Sequence, residues 1–117
     1  MIYTSYFASK KYNKKDGVSV ARYCGFWKGD QCNELMPSAS LLQWWKNLPK
    51  AYQESKYYQE EYYKHYFEET LQHLNPHIIA ADYDNKVLLC YEKTGEFCHR
   101  HLIAHWLKTY GYEVEEL

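Results

Sequence analysis

Cysteine, histidine and arginine stand side by side at Cys98-His99-Arg100, a short loop downstream of Cys90 and Glu92. These types suit covalent and acid–base chemistry on an anion. A thiolate is the nucleophilic form of cysteine, and a helix start or a cationic neighbour lowers its pKa from about 8.5 toward roughly 3.5–7.5. Cys98 meets both conditions if a helix begins there. His99 or His101 supplies a general base or acid, and Glu92 a second proton carrier or a partner for Arg100. Arg100 can fork onto a phosphate or carboxylate. Cys90 either faces Cys98 or fills core. A purely structural reading stays open, with Cys98 buried and Arg100 paired to Glu92 or Glu96. The cysteines and histidines are also ligating types, but no Cys-x2-Cys pair exists, so no metal and no cofactor is assigned.

These residues need a strand, a loop and a helix to hold them. Val87 to Tyr91 is near-continuously apolar, as in a buried parallel strand. Gly95 marks the loop, and Leu102, Ile103, Trp106 and Leu107 give a helix from Cys98 or His99 to Tyr110, closed by Gly111. Ligands in open parallel sheets bind beyond the carboxyl ends of strands, where helix starts present free N–H groups.

Upstream, Ile2 to Phe7 and Val18 to Ala21 read as strands, with a lysine-rich loop between. Cys24 to Met36 is a long irregular connection. Leu41, Leu42, Trp45 and Leu48 follow helical spacing after Pro37-Ser38. A single long helix is expected from about Ala51 to Leu74, its ridge of Tyr58, Tyr62 and Tyr66 serving as core packing. Asn75-Pro76 opens a short helix to Ala81, Asp84-Asn85 turns, and Val114 to Leu117 adds a short strand. The expected class is α/β: a small, mostly parallel sheet with helices on its faces and the site at the carboxyl edge of the strands.

A chain of 117 residues makes one domain, spanning 1–117, able to bury roughly two thirds of its unfolded surface. Net charge is −1, without the concentrated positive field of a duplex binder. Lys10, Lys11, Lys14 and Lys15 read as a solvated loop. The 14 tyrosines imply an amphipathic exterior, of a kind that also stacks on bases, although core and rim packing accounts for it. No apolar run is long enough for a membrane span, and no signal peptide is recognised. The cysteines are therefore expected reduced and the chain cytoplasmic.

The segment Leu88-Leu89-Cys90-Tyr91-Glu92, followed after the loop by Cys98-His99-Arg100-His101-Leu102-Ile103-Ala104, resembles the signature of the family called domain of unknown function 488. Ile2-Tyr3-Thr4-Ser5-Tyr6-Phe7 resembles its opening strand, and Val18-Ser19-Val20-Ala21-Arg22 its second strand. Pro37-Ser38 with Leu41-Leu42 and the tyrosine-rich helix follow its short members. The resemblance implies an enzyme without an assigned reaction. It also implies a site drawn from Thr4, Ser5 and Arg22 on the early strands, with Cys90, Glu92, Cys98, His99 and Arg100. Longer relatives carry a Gly-His where this chain has Tyr6-Phe7, which leaves a proton carrier vacant or passes the role to His99.

The leading expectation is a cysteine-dependent enzyme acting on a small anionic, nucleotide-like substrate. Cys98, Glu92 and His99 would do the chemistry. Arg22, Arg100, Thr4, Ser5 and Cys90 would hold the ligand. The alternatives are a binding module for the same anion without turnover, and protein recognition through Trp27, Trp44 and the tyrosines.

Overall fold

A computed structural model describes all 117 residues. Five strands form one all-parallel sheet in the order β3-β2-β4-β1-β5. They are β1 (Ile2–Tyr6), β2 (Gly17–Ser19), β3 (Asp30–Gln31), β4 (Val87–Cys90) and β5 (Val114–Glu116). The helices are α1 (Ala39–Asn47), α2 (Lys50–Gln53), α3 (Lys56–Glu69), α4 (Pro76–Asp82) and α5 (His99–Thr109). None is long and apolar enough to cross a membrane.

The apolar run of β4 makes it the central strand. Every one of its residues is buried, and it pairs with β1 on one side (Thr4 opposite Leu88) and β2 on the other (Val18 opposite Leu88). Helix α5 packs on β1, β4 and β5, driving Ile103 and Leu107 into the core. Its end is a Schellman turn. Tyr112 N donates to Leu107 O and Gly111 N to Lys108 O, with Gly111 at φ 90°, where an L side chain is disfavoured.

Three expectations need correction. The single helix from Ala51 to Leu74 is broken into α2, α3 and a 3-10 turn at Leu71–His73. Side chains enforce the first break: Gln53 Nε2 donates to Trp45 O, and Gln59 Nε2 to Gln53 O. The Gln53 carbonyl, which a continuous helix would satisfy through Tyr57 N, is met by a side-chain amide instead, so the helical pattern runs across a gap in the backbone. Of the tyrosine ridge, Tyr62 and Tyr66 are core as expected, with Tyr66 OH donating to Leu35 O at 2.7 Å, whereas Tyr58 lies outside the core, stacked on exposed Tyr52. Second, the connection from Cys24 to Met36 contains β3, a two-residue edge strand exposed on both residues, which hydrophobic alternation cannot reveal. Third, β2 runs over Gly17–Ser19 rather than to Ala21.

Candidate functional site

Cys90 ends β4 and Cys98 is the N-cap of α5, so the loop between them brings the two residues to one point at the carboxyl edge of the sheet. Their Sγ atoms are joined as a disulfide, with Cα atoms 7.4 Å apart, which corrects the expectation of reduced thiols for this pair and leaves only Cys24 and Cys32 free. Both residues are buried.

Arg100 lies in the first turn of α5 and is fully buried. Its Nη1 donates to Cys90 Sγ at 3.1 Å and to the carbonyl oxygen of Glu92. Its other edge is taken by Glu116, with Nε to Oε1 at 3.1 Å and Nη2 to Oε2 at 2.8 Å. Glu116 also accepts from Thr4 Oγ1 at 2.6 Å and from Thr94 Oγ1 at 2.7 Å. Burial opposes charge on this carboxylate, but the bonds from Arg100, Thr4 and Thr94 outweigh it and hold its pKa down at about 2.

The expectation that Arg100 grips a ligand is therefore corrected. Its guanidinium is enclosed, and its partner is Glu116 rather than the carboxylate of Glu92 or Glu96. Thr4 and Ser5 are corrected likewise. Both are buried, with Thr4 bonded to Glu116 and Ser5 Oγ donating to the Leu117 carbonyl at 3.2 Å, so their hydroxyls serve the β1–β5 seam.

His99 is buried beside the cysteines. Its Nε2 donates to Val20 O at 2.7 Å, which fixes the tautomer and leaves Nδ1 bare in the neutral ring, 3.8 Å from Cys98 Sγ. Burial, with help from the nearby Arg100 charge, pulls its pKa down to about 4. His99 is thus a neutral acceptor at physiological pH. Glu92 moves the other way, since burial raises its pKa and favours the protonated acid.

A small cavity of ≈ 60 Å³ opens here, lined among others by Arg22, Lys46, Cys90, Tyr91, Glu92 and His99. Pockets that bury a drug-sized ligand measure about 300–1,000 Å³, so this one holds a head group of oxyanion size and not a whole nucleotide. Arg22 anchors its Nε on Pro37 O at 2.6 Å and is otherwise exposed. Cys90, not Cys98, is the sulfur-bearing residue on the cavity wall.

The ligating atoms of Cys90, Cys98 and His99 lie within 4.8 Å of one another, so a reduced pair with His99 Nδ1 could hold a soft divalent ion. The positive groups around them (Arg100 on the sulfur, Arg22 and Lys46 on the cavity wall) oppose a cation and favour an anion.

The sequence reading missed Lys46 and Glu116. Lys46 stands one helical turn beyond Leu42, which lines the same cavity. Glu116 carried a usable signal. It shares a strand face with buried Val114, and a carboxylate on an inward face calls for a buried cation.

A family model for DUF488-N3a, described as the active DUF488-N3 subclade, matches residues 8–111. No curated protein and no solved structure matches the chain.

Proposed function

The chain belongs to the DUF488 family, in its N3 subclade, and from that premise we propose that it is a cysteine-dependent enzyme acting on a small anionic head group. The observation that carries this reading is the 3.1 Å bond from buried Arg100 to Cys90 Sγ on the cavity wall. A guanidinium held there stabilises a thiolate over a thiol once the cysteines are reduced. This moves the nucleophile from Cys98, where sequence placed it, to Cys90.

Arg22 and Lys46 hold the anion. The Cys90 thiolate bonds to its electrophilic atom, and the leaving group departs with the bonding pair and takes a proton from Glu92. Glu92, now a carboxylate, accepts a proton from the water that releases the captured group and restores the thiolate. His99 stays neutral and shapes the wall. A disulfide to Cys98 consumes the nucleophile, so the competent enzyme is the reduced one.

The test is alkylation of the reduced protein by iodoacetamide across pH, read by mass at each cysteine. Cys90 should react with an inflection well below that of an ordinary thiol, about 8.5, and phosphate should slow the reaction. An ordinary inflection at Cys90, or reaction only after unfolding, removes the nucleophile from the proposal.

A further inference from the structure

The loop after β2, together with Tyr91 just past β4, carries an aromatic surface that core packing does not explain. Phe26 and Tyr23 are 62% and 60% exposed, and Tyr91 is 48% exposed. They are not loosely held. Phe26 meets Phe7 edge to face at 5.2 Å and Tyr91 at 5.9 Å, while Phe7 meets Tyr91 at 5.4 Å and Trp27 at 5.5 Å. The Tyr91 hydroxyl donates to Tyr23 O. Trp27 fastens the loop from beneath, with Nε1 donating to Asp30 O at 2.9 Å. Its ring lies so close over Gly17 and Gly29 that a Cβ at either would stand 2.8 or 2.7 Å from it.

The surface joins two cavities. Tyr91 and Tyr23 line the one that holds Cys90. Phe26 and Trp27 line a neighbouring cavity of ≈ 390 Å³, whose charged residues are Lys14, Lys15 and Lys28, with no carboxylate among its lining residues. A cation cluster, exposed rings and the small anion cavity therefore follow one another without interruption.

We infer that this surface binds the nucleotide unit of a single-stranded or free nucleotide ligand, its base stacked on Phe26 and Tyr91 and a flanking phosphate on Lys14, Lys15 and Lys28. Aromatic rings accept any base by stacking, and lysines track the backbone. Neither needs the base-edge contacts or the broad positive field of a duplex reader. The placement also resolves a matter of size. The cavity at Cys90 admits a head group only, and the rest of a nucleotide-sized ligand needs an adjoining surface. The inference rests on the proposed function only for which group reaches Cys90, since stacking does not involve the thiol.

The test is fluorescence anisotropy with a fluorescein-labelled thymidine octamer on the reduced full chain, with thymidine monophosphate and tripolyphosphate as competitors. Binding is expected, with Phe26→Ala weakening it roughly 5- to 150-fold and Phe26→Trp restoring it. Lys14→Gln with Lys28→Gln should flatten the salt dependence, by roughly 0.7 in the logarithmic slope for each lysine. Displacement by thymidine monophosphate at similar concentration identifies a free nucleotide as the source, and selective binding of the octamer identifies a strand. The inference is overturned if the octamer does not bind, if the folded Phe26→Ala protein binds it unchanged, or if tripolyphosphate displaces it as well as nucleotide does. Alkylation of Cys90 and its slowing by phosphate do not involve Phe26, so those results separate failure of this inference from failure of the pocket reading.

Discussion

Arg100 and Glu116 meet edge to edge, two guanidinium nitrogens on two carboxylate oxygens, at 3.1 and 2.8 Å. The pair crosses from the first turn of α5 to β5, and it leaves the remaining Nη1 aimed at Cys90. Glu116 is thus a positioning residue for the guanidinium.

Removing it tests both roles. Glu116→Gln should destabilise the fold by about 3–5 kcal/mol, the usual cost of leaving a buried charge without its partner. Denaturant unfolding reads this directly. In protein that remains folded, the alkylation inflection of Cys90 should shift, because the guanidinium loses its anchor. A stability loss with the Cys90 inflection unmoved would mean that Glu116 only holds β5 in place.

The same carboxylate gives a pH dependence. Its pKa is about 2 when folded, against 4.5 as its ordinary value, so it contributes stability that is complete above 4.5 and is lost as pH falls toward 2. Unfolding midpoints between pH 5 and 2 should fall steeply in the wild type and more gently in Glu116→Gln (about those pH bounds).

His99 acts in a higher window. Its pKa of about 4 lies below the ordinary 6.5, so acid favours the unfolded chain from 6.5 down to 4. His99→Gln should flatten the stability profile across that window. A wild-type profile already flat there would contradict a buried neutral imidazole.

Arg22 is exposed apart from its bond to Pro37 O, and its loss should cost at most about 1.5–3 kcal/mol, the usual worth of a charged hydrogen bond. Arg22→Gln with Lys46→Gln should nonetheless abolish the slowing of Cys90 alkylation by phosphate. Unchanged protection would place the anion elsewhere.

Cys98→Ser separates the two sulfurs. The wild type should lose alkylatable Cys90 on oxidation and regain it with dithiothreitol, whereas Cys98→Ser should keep Cys90 reactive without reductant. Equal loss in both proteins would show that Cys98 does not trap Cys90.

Patterns that depend on chain-local periodicity were legible in the sequence. The apolar run of β4, the inward face of α5 and the Asn75 cap stand where spacing put them, the cap accepting a backbone N–H from His77. The junction of β4 with α5 followed, since both flanks were readable. What sequence did not disclose were relations between distant segments. The partner of Arg100 comes from β5, the hydroxyl of Thr4 turns to the same carboxylate, and the Cys90 cavity draws Lys46 from α1. The division of α2 from α3 was hidden as well, because the Gln59 amide stands in for a backbone bond at the Gln53 carbonyl while the helical spacing continues.

The strand order has a bearing on how the molecule forms. β1 has only β4 and β5 as neighbours, and its first pairing with β4 is Tyr3 opposite Val87. β1 must wait for residue 87 of 117 before its backbone finds a strand partner, and the large loop this closes slows assembly. Until residue 87 arrives, β1 is a bare template, and any crowding by sister chains falls hardest on that interval.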